Sequence, residues 1–155
     1  MFPFFMLILA LAPWKPEYHQ ALFDMRVIVH ECPCPAAAWA VLDHAEIHLC
    51  PSPGHQWEWM GLHESQHIMA AKYLPGANFD IFSHVAMKAL RTGGYTDDQI
   101  WQAEFQESLG GHELHAELPW ITHGEIPANL QRWYPWFDLS RVGAPEEDAT
   151  WPVGQ

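Results

Sequence analysis

Residues 61–67 read GLHESQH: two histidines four positions apart, with a glutamate directly after the first. On an α-helix, positions i and i+4 share a face about one turn apart. His63 and His67 can therefore aim two imidazole nitrogens at one ion. Glu64, offset by about 100°, is not placed to join them as a ligand but can reach a water beside the ion. This is the physical content of the H-E-x-x-H signature: zinc lowers the pKa of a water, and the glutamate takes its proton. The surrounding pattern fits a helix over 55–73. Trp59, Met60, Ala70 and Ala71 recur with the histidines at three- and four-residue spacing, and LPGAN at 74–78 stops it.

Outward from this helix, the chain reads as a mixture of short strands and helices. RVIVHE at 26–31 is β-branched and alternating, a strand. AEIHLCP at 45–51 is a second strand, with Ile47 and Leu49 on one face and Glu46 and His48 on the other. EYHQALFDM at 17–25 reads as a short helix. PAAAWAVLDH at 35–44 is alanine-rich with a proline suited to a first helical turn, so a helix is expected there too. FDIFSHVAMKAL at 79–90 is another helix. Thr96 caps the next, over Asp97 and Asp98, and that helix is expected to run to Leu118, where Pro119 intervenes. Beyond it, the aromatic, proline-spaced stretch through RWYPWF is expected to wrap the core with one short helix.

The length of 155 residues suits one domain spanning 1–155, with an apolar segment at 1–16 and a flexible tail at 143–155. The net charge of −12, with only seven Lys and Arg, argues against nucleic acid and against an anionic membrane surface. It suits a metal cation or a neutral to basic peptide. MFPFFMLILALAP at the N-terminus is too short to span a bilayer, so no stable membrane insertion is expected. It lacks the basic residues of a secretory signal, which favours a cytoplasmic chain over a secreted one. Three cysteines, Cys32, Cys34 and Cys50, are too few for a disulfide framework and read as buried or free thiols. A bridge from Cys50 to one of the others is the alternative. His30, Cys32 and Cys34 share a strand face but lack a fourth donor for a closed metal site.

A third ligand must complete the His63–His67 pair. No histidine follows in IMAAKYLPG; a glutamate from a second helix is another way to close such a site, and Glu104, Glu107 and Glu113 are the candidates on the Thr96-capped helix. If Trp101, Phe105, Leu109 and Ala116 form its buried stripe, Glu113 falls about 40° from Leu109, whereas Glu104 and Glu107 lie toward the opposite side. Gly110-Gly111 would disturb this phase if it broke the helix.

HESQH at 63–67 followed by ELHAE at 113–117 resembles the paired motifs of gluzincin metallopeptidases. The resemblance implies an α+β, zincin-like fold: a small antiparallel sheet, an HExxH helix and a second, glutamate-bearing helix. It implies Zn2+ held by His63, His67 and Glu113, with Glu64 as general base. Ala116 would be the helix contact and Glu117 the acid that orients a ligand histidine, a role metal-bound imidazoles independently require. The strand at 45–51 would be the cleft edge that pairs with an extended peptide or protein substrate. Such enzymes also use a His or Tyr to stabilise the oxyanion. Tyr134 and His123 are the preferred candidates, ahead of Tyr95, His112 and His115. Two other readings are open: a di-iron carboxylate bundle using Glu104 and Glu107, which lacks the second E-x-x-H copy, and a non-catalytic domain stabilised by zinc.

Overall fold

The computed structural model describes residues 2–31, 33–34, 36–50 and 57–138. The expected tail at 143–155, the PSPG turn and Cys32 lie outside them. The architecture is α+β. In chain order it comprises α1 (Phe2–Leu11), a 3-10 turn and α2 (His19–Phe23), β1 (Arg26–Val29), β2 (Ala38–Val41) and β3 (Glu46–Leu49). Four longer helices follow: α3 (Trp57–Tyr73), α4 (Phe79–Thr92), α5 (Asp97–Leu109) and α6 (Gly111–Ile121). A final 3-10 stretch covers Ala128–Trp133.

Three expectations about the secondary structure are corrected. The stretch expected as a helix over 35–44 contains β2 and a 3-10 turn at Leu42–His44. Alanine favours a helix, but Trp39 and Val41 alternate with Ala38 and Ala40, and pairing with β3 outweighs the intrinsic preference. The sheet is mixed rather than antiparallel, in the order β1-β3-β2, with β1 parallel and β2 antiparallel to β3. β3, expected at the cleft edge, is therefore the central strand, and β2 is an edge. Finally, the helix expected from Thr96 to Leu118 is two helices.

Gly110 makes that break. Its φ of 133° is positive, in a region that L side chains rarely adopt, so glycine is required there. Gly111 then packs directly on the Phe79 carbonyl, so α6 approaches α4 more closely than any side chain would allow. α6 also continues through Pro119, which cannot donate to the carbonyl of His115 four residues earlier. The Tyr134 hydroxyl donates to that carbonyl instead, at 2.7 Å.

α3 runs through the centre. Residues from Met60 to Gln66 are buried, and Gly61 admits the Phe4 ring of α1 against its backbone. Ile47 and Leu49 of β3 are fully buried in the same core. The polar side chains of α3 find partners there: Gln66 accepts from Trp136 Nε1 at 2.9 Å, and Ser65 donates to Leu62 O at 2.7 Å. Trp133, Tyr134, Trp136 and Phe137 are core, as expected of the aromatic stretch. The N-terminal apolar run is a helix whose Phe4, Phe5 and Ile8 pack inward. Among the described residues, no helix is long and apolar enough to cross a membrane.

Cys34 and Cys50 form a disulfide across 16 residues, which corrects the expectation of thiols and removes Cys34 as a metal ligand. His30 lies instead against His48, with Nε2 and Nδ1 2.7 Å apart, and both rings stack on Trp39. The bridge ties the entry of β2 to the exit of β3. Closing a loop of this length restricts the unfolded chain by about 3 kcal/mol. The Cys34→Ser variant is expected to lose about that much in urea unfolding under oxidising conditions and nothing under reduction. Equal midpoints for variant and parent without reductant would refute the bridge's role.

Candidate metal centre

α3 and α6 together bring the sequence-predicted residues to one point. His63 and His67 project from one face of α3, as their spacing requires. Glu113 enters from the first turn of α6. His63 Nε2 lies 2.9 Å from Glu113 Oε2, His67 Nε2 lies 3.1 Å from Glu113 Oε1, and the two Nε2 atoms are 3.3 Å apart. Among the described residues this is the group of three able to hold a metal ion. A tetrahedral ion with bonds near 2.1 Å has ligand–ligand edges of about 3.4 Å. The observed separations, those to Glu113 being made to its two different oxygens, are shorter than that by about half an ångström or less, so the donors fit an ion with small outward shifts.

The helix break explains the convergence. With α5 and α6 separate, the position of Glu113 no longer depends on the phase of α5. Trp101, Phe105 and Leu109, expected as the buried stripe, are 63%, 52% and 59% exposed. Glu113 is the residue the phase argument selected, but it reaches the site because Gly110 resets the direction of the chain. The competing acids are occupied elsewhere: Glu104 pairs with Arg91 at 3.3 Å, and Glu107 accepts from Ser83 Oγ at 2.7 Å.

Glu117, one turn along α6, lies behind the histidines. Its Oε1 accepts from His63 Nδ1 at 2.7 Å and from Trp59 Nε1 at 2.8 Å. A carboxylate only accepts, so Glu117 keeps a proton on His63 Nδ1 and leaves Nε2 facing Glu113. Ala116 beside it is fully buried, consistent with close helix contact. Two imidazole nitrogens and a carboxylate then face one another, an arrangement satisfied by a proton on His63 Nε2 or by a metal cation in its place.

The electrostatics follow from this arrangement. Burial disfavours charge on His63, but hydrogen bonds to Glu113 and Glu117 outweigh it and push its pKa up to about 10. The Glu113 carboxyl is held well below the usual range by hydrogen bonds from His63 and then His67. Glu64 is buried and its pKa is raised, mainly by desolvation.

A cleft opens beside these groups. One lobe of about 310 Å³ is lined by Ala37, Ala38, Trp59, Met60, Gln106 and Leu109, together with His63, Glu64 and Glu113. A second lobe of about 350 Å³ lies toward Trp39, Ala40, Leu42 and His67, again with Ala38, Glu64 and Glu113. The Cys50 N–H to Ala37 carbonyl bond makes 37–50 a hydrogen-bonded pair, and by alternation 39–48 and 41–46 as well. The N–H and C=O groups of Ala38 and Ala40 therefore point away from β3, toward the cleft. Gln106 and the β2 edge were missed by the sequence reading, because α5 and β2 were assigned the wrong phase and the wrong element. Gln106 Oε1 is buried with no hydrogen-bond partner among the described residues.

Of the oxyanion candidates, Tyr134, His115 and His123 are engaged or placed elsewhere. Tyr134 is fully buried and its hydroxyl serves the His115 carbonyl, so it is a packing residue. His123 is exposed at φ 55° in the turn after α6, about 15 Å along the helix from Glu113. His115 is buried, its Nε2–H donates to Trp133 O at 2.8 Å, and burial drops its pKa to about 3. His112 packs on Phe79, and Tyr95 is not among the residues lining the cleft. No known family, curated protein or solved structure matches the chain.

Two outcomes are expected. The raised pKa of His63 means that its charged form stabilises the fold below about pH 6.5, and that this stability is lost as pH rises toward 10. Thermal melting in chelator should therefore fall across that window, whereas with saturating zinc, which takes neutral imidazole, it should not. Identical pH profiles with and without zinc would count against a shared Nε2 position. Separately, Tyr134→Phe is expected to cost about 1–3 kcal/mol by stranding the His115 carbonyl, with zinc affinity unchanged. A variant as stable as the parent in urea would contradict that role.

Proposed function

We propose that the chain is a zincin-like, zinc-dependent hydrolase that cleaves peptide bonds, with His63, His67 and Glu113 as metal ligands and Glu64 as general base. The observation that carries this reading is the convergence of His63 Nε2, His67 Nε2 and the Glu113 carboxylate within 3.3 Å, beside an open cleft. Three protein donors leave a vertex for water or substrate, which is the pattern of catalytic rather than closed structural sites. Nitrogen and carboxylate donors in this number suit zinc. When bound, zinc would polarise a carbonyl and acidify a water.

The remaining steps belong to this chain's own side chains. Glu64 lines both lobes of the cleft, and its desolvated carboxyl has a raised pKa, which suits a group that accepts a proton and gives it up again. It takes the proton of the attacking water and delivers it to the leaving amine. Ala38 and Ala40 offer an outward backbone edge, with which an extended peptide can pair as an added strand. Gln106 presents an amide to the cleft wall that can bond a peptide group of the substrate. Glu117 holds His63 in the tautomer that ligation needs.

The Glu64→Gln variant tests this reading. It is expected to keep one zinc per chain while hydrolysis of a mixed peptide library falls by about 100-fold or more. If that variant cleaves peptides at the parent rate, Glu64 is not the base and the proposed mechanism fails.

A further inference from the structure

α5 is amphipathic in the reverse sense to the usual surface helix. Its inward row is Gln99, Ala103 and Glu107, at four-residue spacing. Gln99 Nε2 donates to Ile121 O at 2.8 Å, Ala103 is fully buried, and Glu107 accepts from Ser83 Oγ. The row two residues on, Trp101, Phe105 and Leu109, faces solvent, with Trp101 and Phe105 stacked at 6.0 Å between ring centroids. The fold does not use these side chains for its core, because polar tethers set the rotation of the helix. Single exposed apolar residues need no explanation, but a contiguous row of large ones marks a contact surface.

Two observations say what covers it. The row is continuous with the cleft, since Leu109 at its end lines the same lobe as His63, Glu64 and Glu113. Its rim is acidic: Asp97 and Asp98 are exposed at the start of α5, and the whole chain carries −12, while Glu104 beside the row is paired with Arg91. From Trp101 to Leu109 the row runs about 12 Å, the reach of about four extended residues.

We propose that the Trp101–Phe105–Leu109 face of α5 is a docking site for an apolar, positively charged segment of a peptide or protein substrate, which it leads into the cleft at Glu113. The apolar side chains of the segment cover the aromatic row, and its Lys or Arg side chains meet the acidic rim. Only the onward path into the cleft rests on the hydrolase reading, because docking itself needs no metal. The face thus selects substrates by a sequence region several residues away from the bond that is cut.

The test is fluorescence polarisation with the full chain and two labelled peptides of about fourteen residues, one alternating leucine with lysine and the other carrying glutamate for each lysine. The lysine peptide is expected to bind at least about tenfold more tightly than its acidic counterpart, and equally in chelator or zinc. The Trp101→Ser/Phe105→Ser variant, altered only at exposed positions, is expected to weaken that binding about tenfold while its melting curve matches the parent's. Equal affinity for the two peptides, or unchanged binding by the double variant, overturns the proposal. So does assignment of the face to another occupant, seen as a dimer or as binding to phosphatidylcholine vesicles that the double variant loses while it still binds the peptide. Binding as expected by a chain that hydrolyses no peptide would keep this docking site and remove only the hydrolase reading.

Discussion

The Glu117 carboxylate joins the two helices on which the site is built. It lies on α6, is almost fully buried, and accepts hydrogen bonds from both His63 and Trp59 of α3. An ionised carboxylate in a core is costly unless it is paired and hydrogen-bonded, and these two donors meet that requirement. The same bonds fix the spacing and rotation of α3 against α6. Once they are made, Glu113, one turn earlier on α6, is carried to the Nε2 atoms of both histidines. Structural cohesion and the orientation of His63 thus come from one side chain, and the His63–His67–Glu113 cluster is a consequence of how the helices pack.

α6 itself depends on two compensations. Gly110 and Gly111 allow the chain to turn out of α5 and press against the Phe79 backbone. Tyr134 replaces the hydrogen bond that Pro119 cannot supply, so the helix bearing Glu113 and Glu117 extends through a proline. The aromatic segment after α6 is therefore tied to the site through backbone chemistry rather than through contact with the metal position. A tyrosine in a loop after a ligand helix resembles an oxyanion donor in sequence, and only its hydrogen-bond partner reveals the other role.

The histidine spacing on α3 was legible because helical periodicity is a local property. Glu113 and Glu117 were legible from their motif. The helical phase that also pointed to Glu113 assumed one continuous helix and a buried Trp101–Phe105–Leu109 row, and both assumptions failed at Gly110. The α+β class was readable from RVIVHE and AEIHLCP. The identity of β2 was not, because Ala38 and Ala40 favour a helix locally and become a strand through pairing with β3 and the Cys34–Cys50 tie. The strand bordering the cleft was consequently taken to be β3, whereas β2 is the edge that lines it. Long-range pairing and polar tethers such as Gln99 to Ile121 leave little trace in local pattern, so the cleft wall was the least readable part.

The central claim is that His63, His67 and Glu113 bind one ion together. Zinc K-edge X-ray absorption on the zinc-loaded chain, beside its Glu113→Ala variant, measures this most directly. The account requires one zinc per chain, with two imidazole nitrogens near 2.0–2.1 Å and a carboxylate oxygen that is lost in the variant. A chain that takes up no stoichiometric zinc, or a first shell identical in parent and variant, would contradict it.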